Sequence, residues 1–209
     1  MSTHENALYG IKRNLISTKE KNCVKKIGEA LYRQITEHKK VYEKIIILCI
    51  GTDRCTGDSL GPLVGMMLSK RKAIKGKIQI MGTLNDPVHA KNLHEAVAKI
   101  DQENTLVIAV DAMLSKAENL GKVIITNSSL IPGAGIDRTD LQAVGHISIT
   151  ASVNISGPMS SMMLMDTRLS FVFKIAEVLD KAITQAIKEI SLENTSTSKS
   201  YEKKLRKVE

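Results

Sequence analysis

The stretch Lys44-Ile45-Ile46-Ile47-Leu48-Cys49-Ile50-Gly51 decides the fold. It is a continuous, largely β-branched apolar run that stops at a glycine. Such a run predicts a strand buried on both faces, as in a parallel sheet covered by helices. Thr105-Leu106-Val107-Ile108-Ala109-Val110 repeats the pattern, and Lys77-Ile78-Gln79-Ile80-Met81 gives a further strand between them. Residues 121–126 read as a fourth strand, and the alternating His146-Ile147-Ser148-Ile149-Thr150 as a fifth. Helices fill the gaps: residues 59–73, with Pro62 tolerated in the first turn, and residues 86–100, with Leu93, Val97 and Ile100 on one face. Outward from this centre, Val24, Ile27, Leu31 and Ile35 fall at helical spacing within residues 18–38, and a long helix is expected over 162–190. Residues 1–18 read as irregular and 127–143 as a Gly/Pro-bearing excursion. The order β-α-β-α-β predicts a doubly wound α/β sheet.

The chain has 209 residues, enough for one domain with tails and for a core that needs no disulfide. Aromatic residues make up 3% and Trp is missing, so Ile, Val, Leu, Ala and Met must build that core. No run of about 18 uncharged apolar residues occurs, which predicts no transmembrane helix. The start Met1-Ser2-Thr3-His4-Glu5 lacks the basic and apolar regions of a secretion signal. Three cysteines (Cys23, Cys49, Cys55), odd in number and without a C-x-x-C pair, fit a reduced, cytoplasmic setting.

The net charge of +8 is peripheral: +5 over residues 1–44, +2 over 192–209 and only +1 between. The expected division is therefore an N-terminal extension with a basic amphipathic helix (1–44), an α/β domain (45–191) and a flexible charged tail (192–209). A nucleic-acid groove interleaves basic and aromatic residues on one face. The middle of this chain offers only Phe171 and Phe173, which points away from nucleic acid.

Two acids stand out. Asp58 follows the first long strand closely, and Asp111 ends the third. If those strands are neighbours, as in a flavodoxin-like order, both residues face the crevice at the topological switch point, where ligands bind. Two close carboxylates can activate a water, one as base and one as acid, because like charges force their pKa values apart. With a neutral imidazole they can instead hold a divalent metal; His146, at the start of the fifth strand, is the candidate. Structural readings compete. Asp58 suits a helix N-cap, Asp111 suits a strand-to-loop turn, and His146 suits a purely structural role.

Other features lead elsewhere. Gly51-Thr52-Asp53-Arg54-Cys55-Thr56-Gly57-Asp58-Ser59 imitates a phosphate loop but has five residues between its glycines and an acid where the lysine belongs. Cys55 with His146 would be a nucleophile and base, but lacks an orienting third residue. Met159, Met162, Met163 and Met165 are expected to pack the core rather than bind a soft metal.

The sequence also resembles a known family. Thr56-Gly57-Asp58-Ser59-Leu60-Gly61-Pro62 resembles the T-P-D-A-L-G-P segment of the spore germination protease. Val107-Ile108-Ala109-Val110-Asp111-Ala112 resembles its V-D-A-L signature, and Ile131-Pro132-Gly133-Ala134-Gly135 its P-G-x-G loop. The three occur in the family's order, and the chain also resembles the sporulation protein YyaC family. The resemblance implies an α/β three-layer sandwich around a mostly parallel sheet, phosphorylase/hydrolase-like, as in hydrogenase maturation endopeptidases. It implies a catalytic pair, Asp58 and Asp111, and a peptide substrate, with small acid-soluble spore proteins as the example. It also implies a cytoplasmic place in the forespore or mother cell of a spore-forming bacterium. The related hydrogenase endopeptidases bind nickel through acids and a histidine, which makes Asp58, Asp111 and His146 the expected set for nickel or zinc.

Three functions are therefore open. The first is a sporulation-associated peptidase in which Asp58 and Asp111 polarise a water while Gly57, Ser59 and Gly61 support substrate or oxyanion. The second is a metal-dependent endopeptidase or metal-binding protein. The third is a non-catalytic interaction protein whose basic periphery docks acidic partners.

Overall fold

The computed structural model describes residues 12–38, 40, 42–133 and 141–205, the stretch 193–205 as backbone. Expectations for residues 1–11, for Ala134 and Gly135, and for side chains beyond Leu192 fall outside these residues. The elements run β1 (Arg13–Ser17), α1 (Cys23–Thr36), β2 (Lys44–Cys49), α2 (Leu60–Ser69), β3 (Gln79–Met81), α3 (Leu93–Ala98), β4 (Thr105–Ser115), β5 (Lys122–Thr126), β6 (Ile147–Ile155), α4 (Ser160–Met165) and α5 (Leu169–Leu205). They form one six-stranded sheet in the order β1-β5-β6-β4-β2-β3. β3, β2, β4 and β6 are parallel neighbours; β5 runs against β6 and β1 against β5. Five strands thus point one way, in the mostly parallel sheet expected.

Strand alternation builds a core on each face. In β2, Ile47 and Cys49 enter one cluster, while Ile46 and Leu48 enter the other. In β4, Leu106, Ile108 and Val110 join the first, and Val107 and Ala109 the second. Helices α1, α2 and α5 close the first core through Ile27, Leu31, Val64 and Leu179, all essentially without solvent exposure. Among the described helices, α3 is the one that covers the other face, through Leu93, Ala96 and Val97. Apolar area removed from water on both faces, at roughly 25 cal/mol per Å², is what makes the uninterrupted apolar runs strands.

Several elements differ from the expectation. Residues read as irregular supply β1, an edge strand paired with β5 from Arg13↔Thr126 to Ser17↔Lys122. With α1, it belongs to the same sheet and core as the rest. The helix over 86–100 shrinks to α3, because the residue before Pro87 is pushed to extended backbone and Val88 bridges Ile50. β4 does not stop at Asp111 but pairs with β6 as far as Ser115.

The helix expected over 162–190 is broken between Met165 and Leu169, where the Asn154 amide donates to the Met163 carbonyl (2.7 Å) and to Thr167 Oγ1 (3.1 Å). The methionines do not fill the core: Met159, Met162 and Met165 are 62–64% exposed. No described helix is long and apolar enough to cross a membrane.

Candidate active site

β4 outruns β2. The register ends at Cys49↔Val110, and the Ile50 N–H donates to the Val110 carbonyl at 2.8 Å. Asp111 therefore lies just past the end of β2, while on its other side it pairs with Thr150 of β6. The chain leaving β2 makes a tight return. The Thr52 N–H donates to the Asp58 carbonyl at 3.2 Å, and residues 57–59 form a 3₁₀ turn leading into α2. Two glycines permit this approach. Gly51 has φ +137°, and a Cβ on it would lie 1.9 Å from the Asp58 carbonyl oxygen; a Cβ on Gly61 would lie 2.0 Å from that of Ile50. The turn carrying Asp58 is thus pressed onto the rim where Asp111 emerges.

Both acids line one cavity of about 300 Å³, with His89, Arg54, Lys91 and Pro132 among the other walls. Asp111 is only 6% exposed. Its Oδ1 accepts from the Ala112 N–H at 2.8 Å. Burial, and after it the Asp58 charge, hold the Asp111 carboxyl well above the usual carboxylate range, with the Ala112 bond opposing. Burial also raises Asp58, against a backbone hydrogen bond from Thr52 and the attraction of His89. The upward shift is the greater on Asp111, where the Asp58 charge adds to burial in favouring the neutral carboxyl. Such a pair is suited to activating a water, with Asp58 as base and Asp111 as acid. Asp58 is not a helix cap: Ser59 precedes α2, and no side chain caps it.

The structure brings Asp58 and Asp111 together but separates the other expected site residues from them. Gly57, Ser59 and Gly61 do not line the cavity. Gly57 is packed against Leu164 and Thr167, Ser59 Oγ donates to the Thr56 carbonyl at 2.7 Å, and Gly61 is packed on Ile50. Their part is to set the position of the Asp58 turn.

His146 is at the opposite rim. Its Nδ1 accepts from the Val107 N–H at 3.0 Å, and its N–H donates to the Val107 carbonyl at 2.8 Å. Val107 precedes Asp111 by four residues, roughly 13 Å along a strand. The ring packs against Tyr42 (centroids 5.2 Å apart) and His38 (5.9 Å). The set Asp58, Asp111 and His146 therefore does not fit a metal ion. Among the described residues no three His, Cys, Asp or Glu side chains form one that does. Cys55 is likewise remote from His146, since it precedes Asp58 on the other rim.

Sequence reasoning missed His89. It follows Val88, whose carbonyl accepts from the Gly51 N–H at 2.8 Å, so the segment after β3 runs beside the end of β2 and delivers the imidazole to the acids. Asp86-Pro87, which calls for an extended start, was the signal available.

A family model described as "Protein of unknown function (DUF1256)" matches residues 15–182. The uncharacterized protein YyaC of Bacillus subtilis (strain 168) is 43% identical over 148 residues, which is 70% of this chain and 71% of that protein. Among solved structures, the [NiFe] hydrogenase maturation protease HycI of Thermococcus kodakarensis KOD1 superposes with a TM-score of 0.47 at 19% identity, covering 76% of this chain and 99% of HycI. By both the family match and the extent of its identity to YyaC, this chain is a member of the DUF1256 family.

Proposed function

We propose that the chain is a peptidase of the germination-protease-like kind, working through the acid pair Asp58 and Asp111. The observation that carries this reading is the meeting of the two carboxyl groups, 53 positions apart in sequence, in one cavity where burial and the neighbouring charge raise Asp111. Asp58 removes a proton from a water whose oxygen adds to the scissile carbonyl, and Asp111 donates to the carbonyl oxygen. The segments around both residues resemble the germination protease motifs, which favours peptide hydrolysis over other water-activating chemistry and a place in a spore-forming cell. A protein substrate suits the surroundings. α4 packs on the Asp58 turn through Leu164 and, with the residue before it, leaves Met159, Met162 and Met165 exposed, an apolar and adaptable surface on that turn's outer side.

The test is cleavage of internally quenched peptides spanning a small acid-soluble spore protein, by wild type, Asp58→Asn and Asp111→Asn. Wild type is expected to cleave and both variants to be inactive while folded, as read by circular dichroism. Equal cleavage by wild type and Asp111→Asn removes the assignment.

A further inference from the structure

With Gly57 and Gly61 turned away from the cavity, a peptidase built on the acid pair needs another donor for the oxygen on which charge develops. Several nearby backbone N–H groups are already engaged: that of Gly51 bonds the Val88 carbonyl, that of Thr52 the Asp58 carbonyl and that of Arg54 the Thr52 hydroxyl. Arg54 and Lys91 reach the cavity, but their side chains are exposed and flexible, and a donor must be held before the reaction to be effective.

His89 is held. Its N–H donates to Asn92 Oδ1 at 2.8 Å, the Asn92 amide donates to the Pro87 carbonyl at 2.9 Å, and the His89 carbonyl accepts from the N–H groups of Asn92 (3.0 Å) and Leu93 (2.9 Å). On its other side, Val88 is tied to β2 through the Ile50 bridge. The ring is oriented too. Nδ1 accepts from the Lys91 N–H at 3.3 Å, which leaves Nε2 as the ring nitrogen that carries an N–H. Nε2 has no hydrogen-bond partner among the described residues.

We propose that His89 is the oxyanion donor of this site, its imidazole Nε2–H binding the carbonyl oxygen of the scissile peptide. This rests on the peptidase reading. As Asp58 takes a proton from water, the water oxygen bonds to the carbonyl carbon and the π pair moves onto the carbonyl oxygen. There it meets two donors, the Asp111 O–H and the His89 Nε2–H. On collapse the carbonyl re-forms, the C–N bond breaks, and the departing nitrogen takes the proton held by Asp58. Water and peptide become carboxylic acid and amine, and His89 keeps its proton throughout.

The test compares His89→Ala and His89→Gln with wild type and Asp111→Asn on the same spore-protein peptides. It adds ¹⁵N-imidazole NMR of the full chain titrated with a peptide phosphinate, whose tetrahedral anion imitates the charged intermediate. His89→Ala is expected to lower kcat by about 10²- to 10³-fold with KM little changed. His89→Gln, which offers an amide N–H, should recover part of the loss. The Nε2–H resonance of His89 should shift on phosphinate binding. Full activity of His89→Ala, in an experiment where Asp111→Asn is dead, overturns the role of His89 and leaves the acid pair standing. Absence of cleavage by wild type together with an unmoved Nε2–H signal overturns both.

Discussion

Gly61 sits so close to Ile50 that a Cβ on it would lie 2.0 Å from the Ile50 carbonyl oxygen and 2.7 Å from its nitrogen. Neither is the end of a flexible side chain, so neither can move aside cheaply. The first turn of α2 reaches the end of β2 only because this residue is glycine, and the Asp58 turn rides on that approach.

Gly61→Ala is therefore expected to destabilise the fold by roughly 1–3 kcal/mol or more, the cost of overpacking a filled site. It should also disturb the cavity beyond its cost in stability. Urea unfolding measures the first effect. Gly157→Ala is the control, since a Cβ there meets nothing within 4 Å, and it should unfold close to wild type.

Asp111 carries a second expectation. Its carboxyl is raised in the folded state by burial first and the Asp58 charge second. The folded protein therefore binds this proton more tightly than the unfolded chain, and stability falls as pH climbs past the unfolded carboxylate pKa of about 3.9. Asp111→Asn keeps an acceptor for the Ala112 N–H but has nothing to ionise. It should be more stable than wild type near neutral pH, with the advantage shrinking towards pH 4. A constant difference in unfolding free energy across that range would contradict the buried, protonated state.

At the opposite rim the sign reverses. Burial lowers both His38 and His146. The unfolded chain then takes up protons more readily, and stability is lost as pH falls below the unfolded histidine value of about 6.5. Protonation of His146 at Nδ1 would also break its bond from the Val107 N–H. Thermal melts from pH 7.5 to 5 should show wild type losing stability more steeply than His146→Asn.

Arg71, beyond the end of α2, forms a forked ion pair with Asp180 of α5. The Asp180 side chain is only 3% exposed, so Arg71→Met strands a buried carboxylate. Breaking such pairs costs about 3–5 kcal/mol when both partners are buried. With the guanidinium 43% exposed, the loss should lie near or below the low end. The double variant Arg71→Met/Asp180→Leu should regain part of it. A double variant no better than the single one would mean that packing, not the stranded charge, sets the cost.

Much of this was readable in the chain. The runs 44–50 and 105–110 announced strands covered on both faces because nothing polar interrupted them, and the two acids could be placed at a common rim once those strands were neighbours. β1 was hidden because Arg13-Asn14-Leu15-Ile16-Ser17 is short, mixed in polarity and an edge strand, for which pattern is a weak guide. The extension of β4 was hidden because Asp is rare in strands and Asp111 looked like a terminator.

The placement of His146 failed for a more instructive reason. In a parallel sheet the start of one strand and the end of its neighbour lie at opposite rims, so a residue opening β6 could not join an acid that follows β2 and one in the second half of β4. His89 escaped because a helix was expected where Pro87 enforces extended chain. The methionines misled because apolarity alone does not distinguish a core position from an exposed one.

The unequal cladding of the sheet has a bearing on motion. Three helices back one face, whereas the other carries α3, of six residues. Elements with little apolar backing open locally at low free energy, so the wall that bears His89 should yield first. Asp58, borne on the turn into α2, and Asp111, within the central strand, belong to the stiffer side. Amide hydrogen exchange should accordingly be faster along α3 than along α2 and β4.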